Sequence, residues 1–369
     1  GGSIANALID LAPSSNPDSP DDLADRLSVN GTVSNSTIYS GTGDDSLYVT
    51  GAVTGSSVYA GSGADTMHVT GSLGAWAELG DGADSVLAAT VKNATLSGST
   101  GNDTFAVSGS SVSASSLVGG FGADSIVVVG SSGHLLASTV YGGDPSDGSS
   151  VQDQADYISI GGSISGAAVY GNYGDDHLQV GGHATVASLY GGKGGDLLSV
   201  AGNLDASVIL GGDDNDTLII AGSLQGGASV FGDNEAGEQE ANDSITIGTI
   251  SNGAVDAGAG NDTLSIGDAA TTAAIDGSAG NDVMHLQRFG TGVIEGGIGN
   301  DTVALSGGLS SGATLYGGNA ASDPIDGADL MSVAAGVTSA ALFGNGGDDT
   351  LVVWAADSPG SSANAKASL

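Results

Sequence analysis

Residues 40–51 read SGTGDDSLYVTG, and residues 60–71 write the same sentence again as AGSGADTMHVTG. A text repeated at a step of about 20 residues constrains the fold more than length does, because every copy must form the same unit and stack on its neighbour. Aligned on the last aspartate of the motif, the copies place Asp45, Asp65, Asp84, Asp103, Asp124, Asp156, Asp176, Asp196, Asp216, Asp243, Asp262, Asp282, Asp301, Asp329 and Asp349 in one column. Two and four residues after each lies an apolar pair, such as Leu47/Val49, Phe105/Val107, Leu218/Ile220 or Leu351/Val353. That alternation is the period of a short strand with one buried face. Ile38, Val58, Leu189, Ile275 and Leu342, each seven residues before its aspartate, mark a second strand ahead of the Gly-rich turn.

Two strands and two tight turns fit one copy, so each copy predicts one coil of an all-β, right-handed parallel β-solenoid of about 15 coils of ~20 residues. With ~4.8 Å between paired strands, the coils would form a rod of roughly 70 Å. The solenoid is expected over residues 34–355. Before it, residues 1–33 form an N-terminal segment whose SPDDLADRL stretch (19–27) predicts a short capping helix, with Ser19 as N-cap and Pro20 at the first helical position. After it, residues 356–369 are small and polar and read as a flexible tail or linker.

The charge balance narrows function. There are 42 Asp and Glu against 5 Lys and Arg, a formal charge of −37. Nucleic-acid binding is excluded, because phosphate contacts need clustered cations. No apolar run approaches membrane-spanning length, so no membrane insertion is expected. The absence of cysteine excludes a disulfide framework or a thiol site and fits an acidic, secreted bacterial type of protein. The start at Gly1, without a charged and then apolar leader, reads as a processed form, a fragment or another export route. The five histidines are scattered over different coils and converge with no serine and acid on a catalytic motif, so no enzyme is expected.

Stacked coils would bring like carboxylates within ~5 Å, which costs ~0.9 kcal/mol per neighbouring pair even at the dielectric of water. Calcium would offset this, since it takes six to eight oxygens from carboxylates and backbone carbonyls. An aspartate in a Gly-rich turn can also bond its own backbone with no metal. GGFGADSI (119–126), GGKGGDLL (191–198) and GGIGNDTV (296–303) resemble the RTX, or hemolysin-type, calcium-binding repeat, a nonapeptide of the form GGxGxDxUx. The resemblance implies a β-roll with several calcium ions held between turns. The fifteen aspartates would act as carboxylate ligands, with carbonyls of turn glycines such as Gly119, Gly122, Gly191, Gly194, Gly296 and Gly299. The chain departs from that family in carrying the motif on one turn per coil. The opposite turns, such as AGNLDA (201–206), are expected to be metal-free.

Three coils carry long turns at 142–156, 231–243 and 316–329, read either as tolerated surface insertions or as regularly spaced acidic contact points. Tyr39, Tyr59, Tyr141, Tyr170, Tyr190, Phe231, Tyr316 and Phe343 recur in the strand before the turn, as a packed ladder or as a glycan-binding strip. Together these features predict an extracellular, secreted or cell-surface calcium-binding repeat protein. It would be a surface-layer, filament or adhesin-stalk component that assembles with copies of itself or meets a cell-surface glycan or envelope component. The alternative is the calcium-binding module of a larger secreted toxin or hydrolase.

Overall fold

The computed structural model describes residues 2–11, 23–109, 111–131, 133–145, 153–234, 241–269, 272–319, 326–354 and 366–368. It is an all-β parallel solenoid of about fifteen turns. The chain divides into two units, residues 1–182 with 187–193 and residues 183–186 with 194–369.

Within each unit the coils stack through three rows of parallel strands, one more than the repeat suggests. The post-aspartate row holds the expected apolar pairs in register: Leu47 meets Met67 and Val49 meets Val69 in the first unit, and Leu264 meets Met284 and Ile266 meets Leu286 in the second. The pre-turn row aligns Ile38 with Val58 and Ile275 with Ile294. A row of very short strands lies between them, with Val33 beside Val53 and Val112 beside Leu135 in the first unit, and Leu204 beside Leu224 in the second. Every one of these residues is buried, so three apolar columns close on one core per unit.

The helical cap is not supported. Among the described residues there is no helix, and Arg26–Val29 is instead a strand that pairs in parallel with Ser46–Val49. Asp25, Leu27 and Val29 carry the repeat's own phase, an aspartate followed by apolar residues two and four positions later. A short helix gains little by itself, whereas a strand here meets the row's unpaired N–H and C=O groups. Ser19–Asp22 lie outside the described residues. So do 146–152, 235–240 and 320–325, the parts of the long turns where acidic protrusions were expected. Lys366–Ser368, inside the segment read as a tail, pairs in parallel with Ala341–Phe343.

The aromatic residues of the pre-turn row do stack. Ring centroids are 4.7 Å apart for Tyr39–Tyr59, 4.9 Å for Tyr141–Tyr170, 4.8 Å for Tyr170–Tyr190 and 5.1 Å for Tyr316–Phe343.

Candidate functional site: a buried aspartate corner

The turn ahead of the aspartate is set in most coils by a glycine two residues earlier, whereas Asp156, Asp216 and Asp243 follow Gln154, Asp214 and Ala241 at that position. Gly63, Gly122, Gly194 and Gly299 have φ of +129°, +127°, +108° and +156°, a region that side chains resist. A Cβ on Gly63 would also come closer than 3.0 Å to the carbonyl oxygen of Gly43 in the coil below. The chain therefore arrives at the aspartate with its side chain turned inward rather than out to solvent. Asp45, Asp65, Asp84, Asp103, Asp124, Asp156, Asp176, Asp196, Asp216, Asp243, Asp262, Asp282, Asp301 and Asp329 are all buried, at 1–4% exposure, and Asp349 is half-buried.

Inside, the two carboxylate oxygens have different fates. Oδ1 accepts the backbone N–H of the aspartate one coil earlier. In the first unit this runs from Asp25 N–H to Asp45, and on through Asp65, Asp84, Asp103, Asp124, Asp156 and Asp176, at 2.7–2.8 Å. In the second it runs from Asp196 N–H to Asp216, and on through Asp243, Asp262, Asp282, Asp301, Asp329 and Asp349, at 2.7–3.1 Å. The side chain thus supplies the inter-coil bond that the strand ladder would make elsewhere. Oδ2 of Asp65, Asp84, Asp103, Asp124 and Asp156, and of Asp216, Asp243, Asp262, Asp282, Asp301, Asp329 and Asp349, is buried with no hydrogen bond.

The glycine five residues before the aspartate in an ordinary coil makes room for that oxygen. A Cβ on Gly98 would lie closer than 3.0 Å both to Asp103 Oδ2 and to the carbonyl oxygen of Gly119 in the next coil. The same pairing faces Gly119 (Asp124 Oδ2, Gly142 O), Gly171 (Asp176 Oδ2, Gly191 O) and Gly277 (Asp282 Oδ2, Gly296 O). The expected carbonyls of Gly119, Gly191 and Gly296 therefore border the carboxylate of the preceding coil. Gly122, Gly194 and Gly299 act as the positive-φ turn residues, and Gly122 O already accepts the N–H of Gln154 at 3.2 Å. Four coils fill the cradle instead, with Ser40, Ala60, Leu79 and Ala257. Between Ser40, Asp45, Ala60 and Asp65 a cavity of about 10 Å³ remains, room for one water.

A buried carboxylate with an orphan oxygen resists ionisation. Burial, partly offset by the N–H bond, pushes Asp84, Asp124 and Asp301 up to about 6, and Asp65, Asp103, Asp243, Asp262 and Asp329 up to about 7. Burial and then neighbouring carboxylates carry Asp282 to about 8, Asp216 to about 9 and Asp156 to about 10. Such a group needs either a proton or a cation on Oδ2. An all-oxygen cradle of one carboxylate and one carbonyl per coil fits a hard cation such as calcium. Among the described residues no three acidic or histidine side chains converge on one point, so an ion here would draw most of its shell from carbonyls and water.

Two further ladders escaped the sequence reading. Immediately before the aspartates, Asn215, Asn242, Asn261, Asn281 and Asn300 form an exposed ladder that runs the other way. Oδ1 of Asn261 accepts the N–H and the Nδ2 of Asn281, both at 2.9 Å, and Asn281 does the same for Asn300 at 2.9 and 2.8 Å. At an opposite corner, Ser56 and Ser138 accept the N–H of Ser36 and Ser115 at 3.2 and 3.1 Å and donate to their own chain two residues back. The Asn run G-N-D and the recurrent serines were visible signals. Of the histidines, His134 and His183 accept backbone N–H groups through Nδ1, while His68 and His177 meet Tyr48 and Tyr157 edge-on.

No family model and no curated protein matches the chain. Among solved structures it is similar to a crystal structure of a TibC-catalyzed, hyper-glycosylated TibA fragment, at 18% identity and a TM-score of 0.30, over 95% of this chain and 99% of that one.

Proposed function

We propose that the chain is a calcium-dependent structural solenoid of the extracellular space or cell surface, and not an enzyme. The column of buried Oδ2 oxygens carries this reading. At neutral pH, carboxylates in that setting stay charged only if a cation replaces the water they have lost, and the oxygen-lined cradles suit calcium among common cations. One carboxylate per coil makes each ordinary site weak, which matches the millimolar calcium outside cells rather than the traces inside them. A formal charge of −37 and the absence of cysteine agree with that setting.

Binding to the folded state alone stabilises it by mass action. Far-ultraviolet circular dichroism and thermal melting of the full chain at pH 7.5, with chelator and then with millimolar calcium, test the reading. Calcium is expected to raise the melting temperature and to restore strand signal lost to the chelator. Identical melts in both conditions would overturn it.

A further inference from the structure

Besides the ladder aspartates, three carboxylates among the described residues hold a buried oxygen without a hydrogen bond: Asp153, Asp233 and Asp326. Each belongs to one of the three long turns. Asp153 and Asp326 also share their setting. Each stands three residues before its ladder aspartate, Asp156 or Asp329, and each turn opens on Tyr-Gly-Gly, at Tyr141–Gly142–Gly143 and Tyr316–Gly317–Gly318.

The paired glycines serve the paired acids. A Cβ on Gly142 would come closer than 3.0 Å to Asp156 Oδ2, and one on Gly143 closer than 3.0 Å to Asp153 Oδ2. Gly317 stands in the same relation to Asp329 Oδ2 and Gly318 to Asp326 Oδ2. The ladder partners are 3% and 2% exposed, so their orphan oxygens are sealed from bulk water beside the second acid. The other oxygens are held: Asp153 Oδ1 accepts the N–H of Gln154 at 3.1 Å, and Asp326 Oδ1 accepts the N–H of Gly327 at 2.9 Å. Asp233 differs, because its Oδ2 accepts the N–H of Ala259 at 2.6 Å and no second glycine precedes it.

We propose that two of the long turns exist to build cation sites of higher charge than the ordinary coils, with Asp153 and Asp156 sharing one divalent cation and Asp326 and Asp329 another. The inference rests on the calcium reading above and adds to it a ranking of sites. A single carboxylate leaves a bound divalent ion half neutralised. A second neutralises it, and affinity in oxygen sites rises with ligand charge.

Calorimetric titration of the calcium-depleted full chain with calcium chloride tests this. Two tight equivalents are expected ahead of a weaker set, and Asp153→Asn and Asp326→Asn should each remove one of the two, weakening it at least ~10-fold. Asp348→Asn, an equal loss of charge at an exposed turn position, should leave both. If D153N and D326N keep both tight equivalents, the ranking is wrong while the calcium reading stands. If the unmutated chain takes up no calcium at all, the calcium reading itself fails. A second measurement avoids variants altogether. Terbium bound to the unmutated chain should show two ions with fewer coordinated waters than the rest, and uniform hydration across all ions would overturn the proposal.

Discussion

Gly119 and Asp124 are chemically one unit. The carboxylate can turn inward only because nothing projects from the glycine, and the glycine's missing Cβ is justified only by the oxygen that fills the space. Placing a methyl there drives it into Asp124 Oδ2 and Gly142 O at once, both of them fixed by the stack. Gly119→Ala should therefore cost about 3 kcal/mol or more, the upper range for overpacking a closed site. Ala60→Gly, at the equivalent position of a coil that already has a side chain there, should cost only about 1 kcal/mol. Paired thermal melts in calcium check the contrast, and equal losses would mean that the cradle is not rigid. The GGxGxD spelling thus has a double reading at this scale. Its first glycine is explained by the carboxylate whether or not a metal is bound, and its second by φ.

The element scale belongs to ladders, and they are separable. The Asn ladder is exposed and carries no charge, so it should contribute without reference to calcium. Asn281→Ala removes the Nδ2 donor to Asn261 and the acceptor used twice by Asn300, and with three exposed bonds lost at about 0.5 kcal/mol each, the low end for a hydrogen bond, it should cost about 1.5 kcal/mol with or without chelator. A cost that vanishes on removing calcium would tie this ladder to the ions instead. Rows of strands were readable from residues such as Leu47, Val49 and Val58, because period-2 burial is written directly in apolar letters. The short middle row was not, since its apolar residue drifts from eight positions after the aspartate (Val53, Leu73) to seven (Val91) or nine (Val112). Arg26–Val29 was hidden by the local helix signals of Pro20 and the acids after it, although Asp25, Leu27 and Val29 were in phase. The corner's position was legible fifteen times over. The inward turn of its side chains was not, because it depends on backbone angles and on which coil's N–H meets which oxygen.

Across the whole molecule the buried carboxyls act together on stability. In unfolded chains aspartate titrates near 3.9, whereas here burial raises the folded values to between about 6 and about 10. The folded state of the metal-free chain therefore binds protons more tightly than the unfolded one. Its stabilisation is complete below about pH 4 and is lost as pH rises through the folded values. Melting temperatures of the calcium-free chain should fall steadily from about pH 4 to about pH 8, opposite to the usual acid denaturation of proteins whose carboxylates are paired with cations. Calcium should flatten or invert that slope, and a metal-free chain that gains stability toward neutral pH would show that the acids are not buried as described. The two side-chain ladders also give the corner a direction. An aspartate hands its oxygen back to the N–H of the coil before it, while an asparagine waits with its oxygen for the N–H of the coil that follows. A newly made coil, some 20 residues after the last, therefore arrives with the acceptor its predecessor lacks, and from Asn242 to Asn300 it also finds an acceptor already in place for its own N–H. Closing so short a span costs little entropy. The chain can thus lengthen as a growth front during synthesis, each coil finishing the one before it and presenting an unfinished edge to the next.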